Sequence, residues 1–170
     1  LSKYIIEGGV PLKGEVTVSG AKNAAIKMVA ASLLTCEEVI LTNIPEIEDV
    51  AVMIEAASSL GIKTAWLDNH KLRLKADEIK TYVLETSITC RARSTIMFMA
   101  PLLSRFGQFT LGEPGGCTIG KNRPINRHLE AFSQMGAQIE FKDGSYRGSV
   151  QGGLKGAEVI FEKNTVMGTE

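Results

Sequence analysis

Hydrophobic and polar positions along this 170-residue chain follow two periods, one typical of strands and one typical of helices. Val16 and Val18 alternate with polar neighbours, which predicts a strand over Gly14–Ser19. The next stretch, Ala21–Leu34, is rich in Ala, Leu, Met and Lys and predicts a helix with an almost wholly apolar face. The pattern then predicts a strand, a helix and a hairpin, at Glu38–Leu41, at Ile47–Leu60, and at Thr64–Leu67 with Lys71–Lys75.

The same order of elements recurs in the second part of the chain. We predict a helix, a strand, a helix and a hairpin there, at Arg93–Leu103, Gln108–Leu111, Arg127–Met135, and Gln138–Phe141 with Ser145–Val150. A further round begins with a strand at Ala157–Phe161 and a helix opening at Asn164–Glu170. Repetition at this period indicates duplicated units that share one core. The sequence therefore predicts an α/β fold of repeated units, interrupted at the start of a helix as in a fragment of a longer protein.

Composition narrows the class of protein. The 19 basic and 19 acidic residues cancel, so we expect no nucleic-acid partner, because such surfaces usually need a basic excess. The longest apolar stretches are far too short to cross a bilayer, so we expect no membrane insertion. The three cysteines, Cys36, Cys90 and Cys117, are widely spaced and form no CxxC pair. That spacing argues against a disulfide framework and a zinc site and favours a cytoplasmic protein. We expect no metal and no cofactor.

The richest candidate chemistry lies in the loop that contains Cys117. Four glycines, two prolines and the cations Lys121 and Arg123 surround this cysteine between Gly112 and Pro124. Glycines allow a backbone to approach a ligand closely, and a nearby positive charge favours a thiolate. The alternative for this segment alone is a tight connection in which the cysteine merely fits.

Two other stretches place cations where a predicted helix begins. Lys22 lies within Ser-Gly-Ala-Lys-Asn, residues 19–23, between a predicted strand and a predicted helix. Arg91 and Arg93 open the equivalent helix of the second unit. Cations oppose the helix dipole at that end, which is mildly unfavourable unless an anion is present. Each stretch alone also fits a solvated turn.

Taken together, these motifs closely resemble those of the enolpyruvyl transferases, in the branch whose acceptor is a nucleotide sugar. The resemblance covers the whole chain in order and rests on Gly8–Ala24, Pro114–Gly120, Arg123-Pro124 and Thr165–Glu170. Its most specific part is Ser-Gly-Ala-Lys-Asn followed by Pro-Gly-Gly-Cys-x-Ile-Gly. The sister branch that makes enolpyruvylshikimate phosphate shares the fold but lacks the cysteine loop. The resemblance implies an inside-out α/β barrel built from βαβαββ units, here incomplete.

The resemblance also implies a reaction and the residues that serve it. The enolpyruvyl group of phosphoenolpyruvate passes to the 3′-hydroxyl of UDP-N-acetylglucosamine and phosphate is released, in the first committed step of peptidoglycan synthesis. Cys117 matches the proton donor, which is also the target of the epoxide fosfomycin. The matching substrate-binding positions are Lys22, Asn23, Arg93, Arg123, Pro124, Ile125, Asn126, Arg127, Lys163, Asn164, Thr165 and Val166.

Departures from the family pattern limit these assignments. The spacing between Gly120 and Arg123 is one residue longer than usual, and Arg91 is a rival to Arg93. Residues 1–20 match strands of the other domain, and residues 21–170 match about two of three units of the cysteine-loop domain. The aspartate base belongs to a part that is absent here, so we expect no turnover by the chain alone. The surface normally covered by the missing domain could also mediate association. The alternative function is a non-catalytic module that binds a phosphorylated ligand or a partner.

Overall fold

A computed structural model describes residues 3–9, 11–115 and 125–161. The first unit consists of α1 (Lys22–Ala31), a 3-10 turn, β1 (Glu38–Leu41), α2 (Glu48–Leu60), β2 (Lys63–Asp68) and β3 (Lys71–Lys75). The second unit consists of β4 (Val83–Leu84), α3 (Thr86–Thr89), a 3-10 helix (Arg93–Phe98), α4 (Met99–Phe106), β5 (Gln108–Gly112), α5 (Asn126–Gln134), β6 (Gln138–Lys142) and β7 (Ser145–Ser149). The repeated order of helix, strand, helix and hairpin is confirmed.

Each unit forms its own sheet. In the first, β3 lies between β1 and β2 and pairs antiparallel with both. In the second, the strand order is β4-β5-β7-β6, with β4 parallel to β5 and the other pairs antiparallel. The described residues form two sheets and no closed barrel, as expected for part of a barrel.

One hydrophobic core joins the two units. It includes Val29 of α1, Met53 of α2, Leu74 of β3, Leu102 of α4 and Phe109 of β5, each with at most 1% of its surface exposed. Helix α1 contacts both α2 and the 3-10 helix of the second unit. Buried residues of the helices and of both sheets therefore share this core. Among the described helices, none is long and apolar enough to cross a membrane.

The helix predicted at Arg93–Leu103 is divided in two. Residues Arg93–Phe98 form a 3-10 helix, and the α-helix begins only at Met99. Pro101 explains the division, because a proline lacks the N–H that would bond to the carbonyl four residues earlier. Its ring is tolerated in the first turn of an α-helix, where it lies here.

Two predicted strands are wrong for the described residues. Gly14–Ser19 and Ala157–Phe161 form no strand, and Val16 and Val18 are 89% and 80% exposed. A strand needs a neighbouring strand to accept and donate its backbone hydrogen bonds, and no described strand pairs with either stretch. The predictions missed β4 and α3, which are too short to show a period. The helix predicted to open at residues 164–170 lies outside the described residues.

An acidic residue after β3 provides a pH-dependent contact between two strands. Asp77 Oδ2 lies 3.0 Å from Lys63 Nζ of β2 and 3.4 Å from Lys75 Nζ of β3. The hydrogen bond from Lys63 lowers the pKa of Asp77 from its ordinary value of 3.8. A lowered folded-state pKa gives stability above the ordinary pKa that is lost as the pH falls through the folded-state pKa.

We therefore expect Asp77→Asn to lower the melting temperature near neutral pH and to have a shrinking effect as the pH falls below 3.8. Thermal unfolding across this pH range measures the difference. Glu158→Gln, at an exposed carboxylate outside both sheets, is the control and should show no such trend. A constant Asp77→Asn effect at all pH values would contradict this assignment.

Candidate active site

The first cation of the site is positioned by a close backbone approach. A β-carbon at Gly20 would overlap the carbonyl oxygen of Asn43 and lie 2.9 Å from its carbonyl carbon. The chain therefore needs glycine at this position to pack against the loop between β1 and α2. Two residues later, Lys22 begins α1. The packing at Gly20 thus fixes the N-terminus of α1 beside the N-terminus of α2.

Lys22 is balanced by a carboxylate within this chain. Its Nζ lies 3.1 Å from Oδ2 of Asp49, in the first turn of α2, and the two side chains are 49% and 46% exposed. Asn23, the second residue of α1, is also exposed. A carboxylate at the N-terminus of α2 is favourable for that helix and satisfies the cation at the N-terminus of α1. Because such exposed pairs are weak, an incoming anion can replace the carboxylate.

The structure shows the surroundings of the two arginines that the sequence left as rivals. Arg91 is exposed and donates to Glu55 Oε2 at 2.6 Å and to Glu48 Oε1 at 3.0 Å, both on α2. Hydrogen bonds to Glu48 and Glu55 raise the pKa of Arg91. Arg93 begins the 3-10 helix and is half-buried. Arg91 therefore binds α2, and substrate contact by Arg93 stays a prediction.

The chain that leads into the cysteine loop is attached to the segment just before these arginines. The Gly115 N–H donates to the Thr89 carbonyl at 3.0 Å, and Thr89 Oγ1 donates to the Glu113 carbonyl at 3.2 Å. A β-carbon at Gly115 would overlap the Cys90 carbonyl oxygen. Gly115 therefore lies directly on the Thr89-Cys90 backbone. Cys117 itself lies outside the described residues.

The remaining predicted residues fall into two groups. Ile125 is buried, and Asn126 and Arg127 follow it in the first turn of α5, exposed and half-buried respectively. The predicted residues Arg123, Pro124, Lys163, Asn164, Thr165 and Val166 lie outside the described residues.

The first turn of α2 is the feature that sequence reasoning missed. Asp49 holds Lys22, and Glu48 holds Arg91, so one helix turn connects the two cation-bearing stretches. Both acids lie in the first turn of α2, where acidic residues favour the start of a helix. Nothing in the local pattern indicates partners that lie 27 and 43 positions away. The arrangement brings Lys22 and Arg91 to one turn of α2, each paired with a carboxylate there.

Solved structures share this fold. The described chain is similar to the enolpyruvyl transferase NikO from Streptomyces tendae, with a TM-score of 0.72 and 23% identity, over 87% of this chain and 32% of that one. It is also similar to EPSP synthase from Acinetobacter baumannii, with a TM-score of 0.67 and 17% identity, over 91% and 36% of the two chains. The fold is that of the enolpyruvyl transferases, and the predicted fold class is confirmed.

The sequence identifies the family. Residues 6–170 match EPSP synthase (3-phosphoshikimate 1-carboxyvinyltransferase), and the chain belongs to this family. Curated relatives named UDP-N-acetylglucosamine 1-carboxyvinyltransferase come from Psychromonas ingrahamii, 39% identical over 99% of this chain, and Coxiella burnetii, 41% identical over all of it. The same name belongs to a Wolinella succinogenes relative, 41% identical over 97% of this chain. The chain spans about 40% of the length of these relatives.

Proposed function

We propose that this chain is the N-terminal part of a UDP-N-acetylglucosamine 1-carboxyvinyltransferase. The complete transferase would move the enolpyruvyl group of phosphoenolpyruvate to the 3′-hydroxyl of UDP-N-acetylglucosamine, the first committed step of peptidoglycan synthesis. The observation that carries the proposal is the exposed Lys22 ammonium at the start of α1, next to the close packing of Gly20 and paired with Asp49. Relatives with this activity in their names match essentially the whole chain.

The proposed chemistry assigns a separate task to each stretch. The acceptor hydroxyl adds to the central carbon of phosphoenolpyruvate while an acid protonates the terminal vinyl carbon. Elimination then removes phosphate and a proton and restores the double bond on the transferred group. Lys22 and Asn23 would bind the anionic groups of phosphoenolpyruvate, and Cys117 would donate the proton. Lys22 exchanges the Asp49 carboxylate for substrate, since a phosphate carries more charge than a carboxylate.

The other predicted residues complete this proposal. Arg123 would bind phosphate, and Arg93 would contact the substrates from the start of the 3-10 helix. The stretches 123–127 and 163–166 would line the nucleotide-sugar site. Residues 1–20 would join the other domain, which is consistent with the exposure of Tyr4, Ile6 and Val16.

The same proposal has consequences for this chain by itself. The base for the acceptor hydroxyl would come from beyond residues 1–170, so the chain alone should not turn over substrate. A cytoplasmic location also belongs to the proposal, and it is supported by the odd number and wide spacing of the cysteines.

Phosphate release by the complete transferase tests the role of Lys22. We expect Lys22→Gln to raise KM for phosphoenolpyruvate roughly 10- to 100-fold, the effect of losing one charge-assisted hydrogen bond. Release should require UDP-N-acetylglucosamine and should not occur with 3-phosphoshikimate as the acceptor.

Lys63→Gln is the matched control, because Lys63 makes an equivalent pair with Asp77 at 3.0 Å but lies on β2. Its KM should equal that of the wild type. An unchanged KM in Lys22→Gln would remove Lys22 from the phosphoenolpyruvate site. Phosphate release with 3-phosphoshikimate would assign the chain to a different acceptor.

A further inference from the structure

We propose that Arg91 is a positioning residue that ties the segment 89–91 to α2 and so fixes where the chain departs toward Cys117. The inference rests on the proposed function, because its catalytic consequence depends on the role of Cys117. Arg91 itself is not proposed to touch substrate.

The contacts of Arg91 suit a clamp. Glu48 and Glu55 are separated by two turns of α2, so their side chains lie on the same face of that helix. The guanidinium donates to both at once, through Nη2 to Glu48 and through Nη1 to Glu55. A planar guanidinium can hold two carboxylates in this way, whereas a lysine ammonium is a single point of charge. The position of residue 91 is thereby fixed along the axis of α2.

The neighbouring residues pass this constraint to the loop. Cys90 and Thr89 precede Arg91 directly, and their backbone supports Gly115 through one hydrogen bond and one close contact. Thr89 is fully buried, and its hydroxyl also binds the Glu113 carbonyl. Gly115 precedes Cys117 by two residues. A shift of the segment 89–91 along α2 would therefore move the point from which the cysteine loop departs.

Helix α2 also provides the reference for Lys22. Asp49, next to Glu48, forms the ion pair with Lys22. The first turn of α2 thus contacts Lys22 through Asp49, and through Glu48 it contacts Arg91, next to the segment that supports Gly115. Exposed ion pairs contribute little to global stability, but a network with a forked arginine restricts local geometry. We therefore expect Arg91 to affect catalysis and local order more than folding.

Two measurements on Arg91→Ala test the proposal. In this chain, hydrogen exchange of the Gly115 amide should accelerate about tenfold, while the Val29 amide in α1 is unchanged. In the complete transferase, kcat should fall about tenfold because the acid is displaced, with KM for phosphoenolpyruvate unchanged.

Glu55→Gln should reproduce part of both effects, and Arg91→Lys should restore part of kcat. Arg147→Ala is the matched control, because Arg147 pairs with Asp143 in the β6–β7 hairpin at 3.4 Å.

The possible results separate the explanations. Local acceleration at Gly115 with a lower kcat supports the clamp. Unchanged Gly115 exchange overturns it, as does equal acceleration of the Val29 and Gly115 amides, which would show a general loss of stability. A raised KM with unchanged kcat also overturns it, by making Arg91 a substrate ligand. A wild-type complete protein without phosphate release would refute the proposed function, and the exchange measurement would still decide whether Arg91 fixes Gly115.

Discussion

Replacement of Cys117 by alanine is expected to reduce phosphate release by the complete transferase roughly 10²–10⁴-fold, the usual contribution of a positioned general acid. The reduction should appear in kcat, since Lys22 and Arg93 would still bind substrate in the variant. Covalent labelling by fosfomycin should disappear at the same time. Steady-state kinetics and the intact mass of the treated protein measure the two effects.

The other cysteines provide the controls for this prediction. Cys36 and Cys90 each lie at the end of an apolar segment, but both are exposed. Reagents can therefore reach both thiols. Cys36→Ala and Cys90→Ala should nevertheless retain both phosphate release and fosfomycin labelling. Two results would remove Cys117 from the proposed role. One is phosphate release that persists in Cys117→Ala, and the other is fosfomycin labelling of Cys36 or Cys90, and not of Cys117, in the wild type.

Substitution of Gly20 by alanine is expected to disturb both the fold and the site. The new methyl group would overlap the Asn43 carbonyl, so the backbone on one side must move, at a cost of about 1–3 kcal/mol in the free energy of unfolding. Because Lys22 follows by two residues, the movement should also misplace its ammonium and reduce kcat/KM by up to about 10²-fold. Denaturant unfolding of this chain and kinetics of the complete transferase measure the two losses.

Gly156→Ala is the matched control for this substitution, because a β-carbon at Gly156 would have no heavy atom within 4 Å. It should leave stability and activity close to those of the wild type. Equal stability of Gly20→Ala and Gly156→Ala would show that the segment leading into α1 does not need the close approach at Asn43.

Local signals in the sequence predicted the helices and hairpins of this fold well. Helix α2 begins within one residue of the prediction. In the structure Glu48 and Asp49 lie in its first turn, and Gly61 takes the left-handed conformation at its end, with φ of 107°. Both hairpins form close to the predicted ranges, and His70 and Asp143 adopt positive φ in their turns. Each of these signals acts over a few residues.

The errors have a different physical origin. The alternation of apolar and polar residues over Gly14–Ser19 shows that this segment could form a strand. A strand also needs a neighbouring strand for its hydrogen bonds, and the local sequence does not show whether one is present. Pro101 divides the second apolar helix through a single missing N–H, an effect that hydrophobic spacing does not reveal. Long-range contacts likewise decide the site. The sequence singled out both arginines, but the pairing of Arg91 with Glu55, a residue 36 positions earlier, is visible only in the structure.

The mass of the nucleotide-sugar product tests the central claim most directly. The complete transferase, incubated with phosphoenolpyruvate and UDP-N-acetylglucosamine, should convert the nucleotide sugar to a species heavier by one enolpyruvyl group, with release of one phosphate per product. The 170-residue chain under the same conditions should leave the nucleotide sugar unchanged. An unmodified nucleotide sugar after incubation with the complete protein would contradict the account, as would an enolpyruvyl group found instead on 3-phosphoshikimate.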